Sequence, residues 1–569
     1  MIPSRSEYDV IVLGAGAGGM TAAAVAAAEG LRVLLIEKSG EVGGTTAISG
    51  GMAWIPANAK MLAAGMPDSL EQAELYLKHS VPAGDKDTLR HAFLNNADAA
   101  ITYLETKTSV RFRPVTNYPD YYPELPGATL GGRVLEPVPF EGRELGKYFR
   151  VLRSPLPEFM LFGGMMVDRA DIPHFRNAAR SFYSAARAAR LTARYVAQRF
   201  SAHRGTSLYL GNALAARLLH SLLHLNVELA LRTQTLSLLA ENGAVTGVRL
   251  AGEPAGGSGP NDVRATRGVV LATGGFSHDP DMRAKYLPRA AGALSAACAT
   301  NGGDGIRVAT ALGAQIGKMQ ADQAFWAPVS SFKRQDGAQA VFPHTVTERS
   351  KPGVIAVNRA GRRFTNEAKS YHEFVRAMLR GDGDGACVPA YLICDRKFLW
   401  RYGLGAVRPF SLSLHRHFAT GYLVRGRTIE KLAEALGIAP NVLAATVARY
   451  NEAARRGEDP EFGRGSDAYQ RYLGDAEHKP NPCVAPIEHP PFYGIALYPG
   501  DLGTAAGLAA DENGRVLGLG ARPIENLYAS GNDMSSIMNG AYPGPGITLG
   551  PALTFGYLAA MHMAGRRMG

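Results

Sequence analysis

Within the first forty residues the apolar positions form two strand-length runs separated by a glycine cluster and an alanine-rich stretch. Tyr8-Asp9-Val10-Ile11-Val12-Leu13 leads directly into Gly14-Ala15-Gly16-Ala17-Gly18-Gly19, Met20 to Glu29 has a helical pattern of small residues, and Leu31-Arg32-Val33-Leu34-Leu35-Ile36 is the second run. Strand, glycine turn, helix and strand make a dinucleotide-binding unit. Gly14 permits the tight turn, Gly16 lets a pyrophosphate approach the backbone, and Gly19 lets helix and strand pack closely. The second strand ends at Glu37, eighteen residues after Gly19, where a carboxylate is placed to accept hydrogen bonds from a ribose diol.

Further along, Asn242-Gly243 followed by Ala244-Val245-Thr246-Gly247-Val248 reads as a hairpin, and Gly268-Val269-Val270-Leu271 as a buried strand ending in Ala272-Thr273-Gly274-Gly275. The middle of the chain is mixed: Gly353 to Asn358 has strand character, Ile429 to Leu436 and Asn441 to Ala453 helical character. After Gly550 the residues from Pro551 to Ala564 are apolar and small, and read as a final helix. Ala255 to Pro260 reads as a loop, and no period of repeat-protein length appears. The expected fold class is α/β. A discontinuous Rossmann-like domain over residues 1–330 and 497–569 would carry an inserted α+β catalytic domain over residues 331–496.

At 569 residues, with 46% hydrophobic and 20% charged positions, the chain is long enough for two or three domains with a large core. It contains no apolar run of spanning length, and its leader carries Arg5 and Glu7 without an apolar h-region, so a cytoplasmic protein is expected. Cys298, Cys387, Cys394 and Cys483 lack C-x-x-C spacing, which argues against a metal site, a secreted disulfide framework and a disulfide-reductase thiol pair. The net charge of +11 is uneven: Ile172 to Val227 holds eight arginines and no acid. Within an arginine-rich insertion at about 140–205, Asn177 to Arg204 reads as a basic helix with Phe182, Ala186, Ala189, Ala193, Val196 and Phe200 at helical spacing. One reading is a peripheral contact with anionic lipid; the other is a solvated helix or a subunit contact. Nucleic-acid binding is not expected, because no base-stacking pattern accompanies the charge.

Gly43-Gly44-Thr45-Thr46-Ala47-Ile48-Ser49-Gly50-Gly51 is similar to the stretch that passes the FAD in glutathione-reductase-type flavoproteins, and Gly268 to Gly275 resembles the strand that closes the FAD site there. Gly531-Asn532-Asp533 matches the place where a polar side chain holds the ribityl chain. The implied cofactor is FAD. At its N-terminal side would stand Gly14, Gly16, Gly19, Glu37, Lys38, Gly44, Thr45, Thr46, Ser49, Gly50 and Gly51. Ala272, Thr273, Gly274, Asn532, Asp533, Thr548 and Leu549 would complete the site. No second dinucleotide unit serves NAD(P)H, since Gly544 and Gly546 lack the strand and acid that such a unit needs. Electrons are therefore expected to leave to a quinone, a carrier protein or oxygen.

The same Gly43 to Gly51 stretch with Trp54-Ile55-Pro56, then Phe364-Thr365-Asn366-Glu367 with Tyr371, and Tyr542-Pro543-Gly544-Pro545-Gly546-Ile547-Thr548-Leu549-Gly550 resemble the 3-ketosteroid Δ1-dehydrogenases, within the fumarate-reductase-like flavoproteins. The resemblance implies removal of two hydrogens from adjacent ring carbons of a 3-ketosteroid or similar apolar cyclic ketone. The Tyr542 hydroxyl and the Gly546 N–H then form an oxyanion hole, each donor worth ~3 kcal/mol in the transition state. The implied base is Tyr371, assisted by a tyrosine from Asn117-Tyr118-Pro119-Asp120-Tyr121-Tyr122. Tyr121 is favoured by position, with Tyr118 and Tyr122 as competitors. A phenol titrates near ~10, so it needs a neighbour that stabilises its anion.

Three alternatives share the fold. A fumarate-type reductase needs cations for two carboxylates, and Arg362, Arg363, Arg401 and Arg408 are the candidates. A Δ4 or otherwise shifted ketosteroid dehydrogenase uses the same tools on another carbon pair. A flavin-carrying electron-transfer subunit of a membrane complex would dock through the arginine-rich segment.

Overall fold

The computed structural model describes residues 3–251, 262–346, 348–381 and 386–566. The expected loop from Ala255 to Pro260 lies outside the described residues. Buried β-branched residues build the first strand, Glu7–Leu13, which pairs in parallel with Val33–Glu37 on one side and Asp262–Leu271 on the other. Glu228–Leu231 extends the sheet beyond Val33–Glu37, and Pro523–Ala529 lies beside Asp262–Leu271, both in parallel. In chain order the parallel core therefore reads third, second, first, fourth, fifth, and the order reverses between Glu7–Leu13 and Asp262–Leu271. Ligands of open α/β sheets bind in the crevice at such a reversal.

Thr235–Glu241 and Ala244–Leu250 form the expected hairpin, and Asn242 and Gly243 between them have φ of 52° and 83°. Two positive φ angles in a two-residue connection match the right-handed twist of the strands. The helix after the glycine turn spans Ala17–Ala28, starting three residues before the expected Met20. It packs against the C-terminal helix Leu549–Met563, where a side chain on Gly556 would meet the Gly18 carbonyl oxygen at 2.7 Å. Small residues on both helices are what allow this approach.

The second sheet is antiparallel and six-stranded, and its strands lie between Ala324 and Thr504. Its long strand, Phe492–Thr504, runs past residue 496 back towards the first sheet. The expected strand near Gly353 is Val354–Val357, and the two expected helices are Ile429–Leu436 and Pro440–Ala454.

In the arginine-rich insertion the helix is Phe182–Arg199, shorter than the expected Asn177 to Arg204. Ser181 accepts the Ser184 N–H and starts it there, after a separate turn of helix over Ile172–Arg176. All four cysteines are free and buried. Among the described residues no helix is long and apolar enough to cross a membrane.

Gly19 is the tightest point of the glycine turn: a methyl group there would lie 2.0 Å from the Gly14 carbonyl oxygen. Gly19→Ala should cost about 1–3 kcal/mol, seen as a lower urea midpoint; an unchanged midpoint would mean the turn shifts freely.

Candidate active site

The crevice beyond Leu13 and Leu271 is lined by backbone. Gly14 has φ of 104°, and a side chain there would meet the Ala272 carbonyl oxygen at 2.2 Å. A side chain on Gly16 would instead meet nothing within 4 Å, and the same holds for Gly50. An uncovered glycine at a helix N-terminus, as Gly16 is for Ala17–Ala28, is the surface a pyrophosphate needs. Glu37 accepts the Ala15 N–H at 3.0 Å and the Ser39 N–H at 2.9 Å, so its carboxylate also shapes the turn. Lys38 is paired with Asp304.

The hydroxyls after the acidic strand are tied down. Thr46 accepts the Ala17 N–H, Thr45 accepts from Cys298 N–H and the Asn301 amide, and Ser49 donates to the Thr46 carbonyl while accepting the Gly51 N–H. Gly44 has φ of 48°, and Gly51, with φ of 68°, passes so close to Gly211 N that a side chain would lie 2.4 Å from it. Asp533 is fully buried and accepts the Thr273 N–H at 2.6 Å and the Gly275 N–H at 2.9 Å, which fixes Ala272, Thr273 and Gly274 over the crevice. Burial raises its carboxyl above the ordinary range, and these N–H groups counter the rise. A small cleft lined by Asn532, Ser535, Ile547, Thr548 and Phe325 continues from it, at the start of helix Leu549–Met563. Open glycine backbone, a helix N-terminus and a neighbouring cleft fit an FAD.

Beyond this cleft the Pro-Gly-Pro-Gly turn folds down on strand Ala53–Trp54. The Gly546 carbonyl accepts the Trp54 N–H at 3.1 Å, and a side chain on Gly546, where φ is 92°, would lie 2.6 Å from the Met52 carbonyl oxygen. The Pro543 carbonyl accepts twice, from the Tyr121 N–H at 3.0 Å and the Tyr76 hydroxyl at 2.6 Å. Among the described residues the Gly546 N–H meets no acceptor.

This turn brings three of the expected tyrosines together. The Tyr121 hydroxyl donates to the Tyr371 hydroxyl at 3.0 Å. The Tyr542 ring stacks on Tyr121 at 5.7 Å and meets Tyr371 edge-on at 5.2 Å. Tyr122 turns away and donates to Glu373, and Tyr118 packs against Tyr469 and Tyr472. Tyr371 opens the helix Tyr371–Arg380, capped by Ser370 accepting the Glu373 N–H.

Burial is the largest influence on all three phenols. It pushes Tyr121 and Tyr371 well above the ordinary tyrosine value and Tyr542 to about 12. At Tyr371 the neighbouring Tyr542 adds to the rise, whereas the hydrogen bond from Tyr121 opposes it by favouring the anion. At Tyr542 the nearby Tyr371 and Thr548 hydroxyls oppose the rise.

Several residues at the site carry no sequence signal of their own. Tyr469 packs 4.7 Å from Tyr121, on a helix held by Gln470, whose side chain bonds to Asn366. Phe325 meets the edge of Tyr542 at 5.6 Å. His372, next to Tyr371, accepts the Trp326 N–H through Nδ1, which leaves Nε2 to donate to Asp322 at 3.2 Å. Asp120 lies within the expected tyrosine segment, yet it accepts from Trp54 Nε1 and from Arg133, both at 2.8 Å, and serves the turn.

The raised Tyr542 fixes a sign. The folded protein holds this proton up to about 12, while the unfolded chain releases it near its ordinary 10.0. Stability is therefore complete below ~10 and falls as pH climbs towards ~12. Urea midpoints measured at rising alkaline pH should fall less steeply in Tyr542→Phe than in the parent; equal slopes would reject this.

Residues 9–549 match the family model described as an FAD binding domain. The chain is 37% identical to a 3-oxosteroid 1-dehydrogenase of Mycobacterium tuberculosis, over 98% of both proteins. It is 38% identical to a 4-oxocyclohex-2-ene-1-carboxylate 5-dehydrogenase of Sinomonas cyclohexanicum, over 98% of this chain and 93% of that protein. The crystal structure of a 3-ketosteroid Δ1-dehydrogenase from Sterolibacterium denitrificans, in complex with 1,4-androstadiene-3,17-dione, superposes with a TM-score of 0.91 at 40% identity, covering 99% of this chain and 100% of that one. An open glycine cradle, an FAD-binding match along nearly the whole chain and these full-length relatives agree, and the chain belongs to the 3-ketosteroid Δ1-dehydrogenase family of FAD-dependent oxidoreductases.

Proposed function

We propose that the protein introduces a C1–C2 double bond into a 3-ketosteroid, with Tyr371 as base, Tyr121 as its assisting phenol, and Tyr542 with the Gly546 N–H as the oxyanion hole. The hydrogen bond from Tyr121 to Tyr371 beside the Tyr542 ring carries this reading. Tyr542 and Gly546 donate to the ketone oxygen and stabilise the developing enolate, which acidifies the alpha hydrogen. Tyr371 takes that proton while the Tyr121 hydroxyl donates to its oxygen. The Gly14 to Gly19 turn, Gly44 to Gly51, Thr273 and Asn532 would hold FAD, which when bound would supply the acceptor for the beta hydrogen as hydride.

Relatives named for 3-oxosteroid 1-dehydrogenation and a structure with a bound androstadienedione support the steroid as substrate. The Sinomonas relative, named for a small keto acid, favours a second reading in which the ketone ring carries a carboxylate. Such a substrate needs a free cation near the phenols. Arg169, packed over the Tyr118 ring, is already paired with Glu136 at 2.8 Å, which supports the steroid. Three of the four candidate arginines of a fumarate-type clamp are committed elsewhere. Arg363 is fully buried between Glu367 and Asp459, Arg401 pairs with Asp475 and Glu477, Arg408 donates to the Pro157 carbonyl, and Arg362 is exposed. Electrons leave to an external acceptor, a quinone or a carrier. Peripheral membrane contact through the arginine-rich helix belongs to the same reading, because its outer face is uncovered.

Anaerobic mixing of the FAD-loaded protein with 4-androstene-3,17-dione, cholest-4-en-3-one or 4-oxocyclohexanecarboxylate tests the reading. Loss of the yellow flavin band with either steroid, and a Δ1 product by mass and NMR, is expected. Bleaching by the keto acid alone would transfer the assignment to that substrate. Tyr371→Phe should keep FAD and bind the ketone, yet lose about 10²–10⁴ in turnover. Near-normal turnover would remove Tyr371 from the mechanism.

A further inference from the structure

Two hydrogen bonds cross the joint between the tyrosine segment and the helix Tyr371–Arg380. Tyr121 donates to Tyr371 at 3.0 Å, and its chain neighbour Tyr122 donates to Glu373 at 3.0 Å, in the first turn of that helix. The partners lie 250 and 251 positions apart in the chain. The first bond joins two phenols. The second ends on a carboxylate, and a hydrogen bond to an ionised acceptor is roughly twice as strong as one between neutral groups.

The backbone of the tyrosine segment is held from the other side. The Tyr121 N–H reaches the Pro543 carbonyl and the Tyr122 N–H reaches the Tyr76 hydroxyl at 3.3 Å, and neither of these touches the helix. Position across the joint therefore falls to the side chains.

Glu373 is itself fixed. Its backbone N–H donates to Ser370 Oγ at 3.3 Å, and Arg376, one turn further on, donates to its carboxylate at 2.6 Å. The same guanidinium lies 3.1 Å from Asp322, which accepts Trp326 Nε1 at 2.8 Å and His372 Nε2 at 3.2 Å. The carboxylate that receives Tyr122 is thus tied both to the helix and to the strand Ala324–Lys333, which contains Trp326. Burial opposes ionisation of Glu373, but Arg376 beside it outweighs burial and holds the carboxyl below its usual range. Burial, and then the Glu373 charge, push the Tyr122 phenol well above the ordinary tyrosine value. At neutral pH the donor stays protonated and the acceptor ionised.

We infer that Tyr122, Glu373 and Arg376 are positioning residues that tie the tyrosine segment to the helix of the base, so that the Tyr121 hydroxyl stays on the Tyr371 oxygen. The effect on turnover rests on the ketone-dehydrogenase reading; the tie itself does not.

A double-mutant cycle in the FAD-loaded protein separates this role from simple packing. Tyr122→Phe keeps the ring and removes only the hydroxyl. It should lower kcat for 4-androstene-3,17-dione about tenfold and leave KM within about twofold. Glu373→Gln, with a neutral acceptor, should fall between the parent and Tyr122→Phe. With Tyr121→Phe already present, Tyr122→Phe should change kcat by less than about twofold, because the hydroxyl it positions is gone. A trifluorotyrosine at position 371, more acidic than tyrosine and followed by fluorine NMR, reads the tie without substrate. Its ionisation midpoint should rise by about one pH unit in Tyr122→Phe, and should not move further when Tyr121→Phe is present. Equal loss of kcat from Tyr122→Phe in both backgrounds, lower thermal melting with parental kcat, or a fluorine midpoint unmoved by Tyr122→Phe overturns the inference. A Glu373→Gln variant as fast as the parent overturns the part given to Glu373 and Arg376. A parent that turns over no ketone, while the fluorine midpoint moves as stated, overturns the dehydrogenase reading and supports the tie.

Discussion

One carbonyl group organises the site. Pro543 O accepts both the Tyr121 N–H and the Tyr76 hydroxyl, the latter from 467 positions away in the chain. Through it the C-terminal turn carrying Tyr542 and the early segment carrying Tyr121 are set in register, and Tyr371, at the start of helix Tyr371–Arg380, closes on both. The turn approaches so closely only because Gly544, Gly546 and Gly550 bring no side chain against Trp54 and Met52. In the proposed reaction a cyclic ketone needs donors on its oxygen and a base at its alpha carbon at once, and the clamp brings the proposed groups into one place.

Charges stabilise the clamp from behind. Arg133 is fully buried and reaches Asp68 and Asp120, while Asp120 also holds Trp54 Nε1. On the other side, Arg363 binds Glu367 and Asp459, and Arg464 adds Glu367 together with the Val354 and Arg349 carbonyls. Buried ion pairs add little net stability, since desolvation consumes most of their attraction, but losing one partner costs about 3–5 kcal/mol. Their contribution here is geometric: they hold loops that present phenols rather than a core that packs. The same burial lifts every phenol in the cluster, so ionisation of Tyr371 depends on what its oxygen is bonded to.

The interior and the surface fit one substrate class. A site walled by Tyr118, Tyr121, Tyr371, Tyr469, Tyr542 and Phe325 is aromatic and poor in free charge. The exposed stripe beginning at Phe182 is apolar in the same way, bordered by arginines where it faces outward.

How much was legible in the chain follows from how local each signal is. The glycine turn, the strands around it, the hairpin at Asn242-Gly243 and the helix from Ile429 depend on neighbouring residues, and the sequence alone determined them together with the FAD family. Tyr371, Tyr542 and Gly546 were named through motifs. The partner of Tyr371 was not decided there: Tyr118, Tyr121 and Tyr122 are adjacent, and only the tertiary structure, through the Pro543 carbonyl, aims Tyr121 at Tyr371 and leaves Tyr122 to Glu373. Tyr469, Phe325, His372 and the Asp68–Arg133–Asp120 network had no local signature, because their contacts join segments far apart in the chain. The arginine-rich helix shows the same division: spacing placed Phe182 to Phe200 on one stripe, but whether that stripe meets protein or solvent depends on packing against distant residues, and the fold turned it outward.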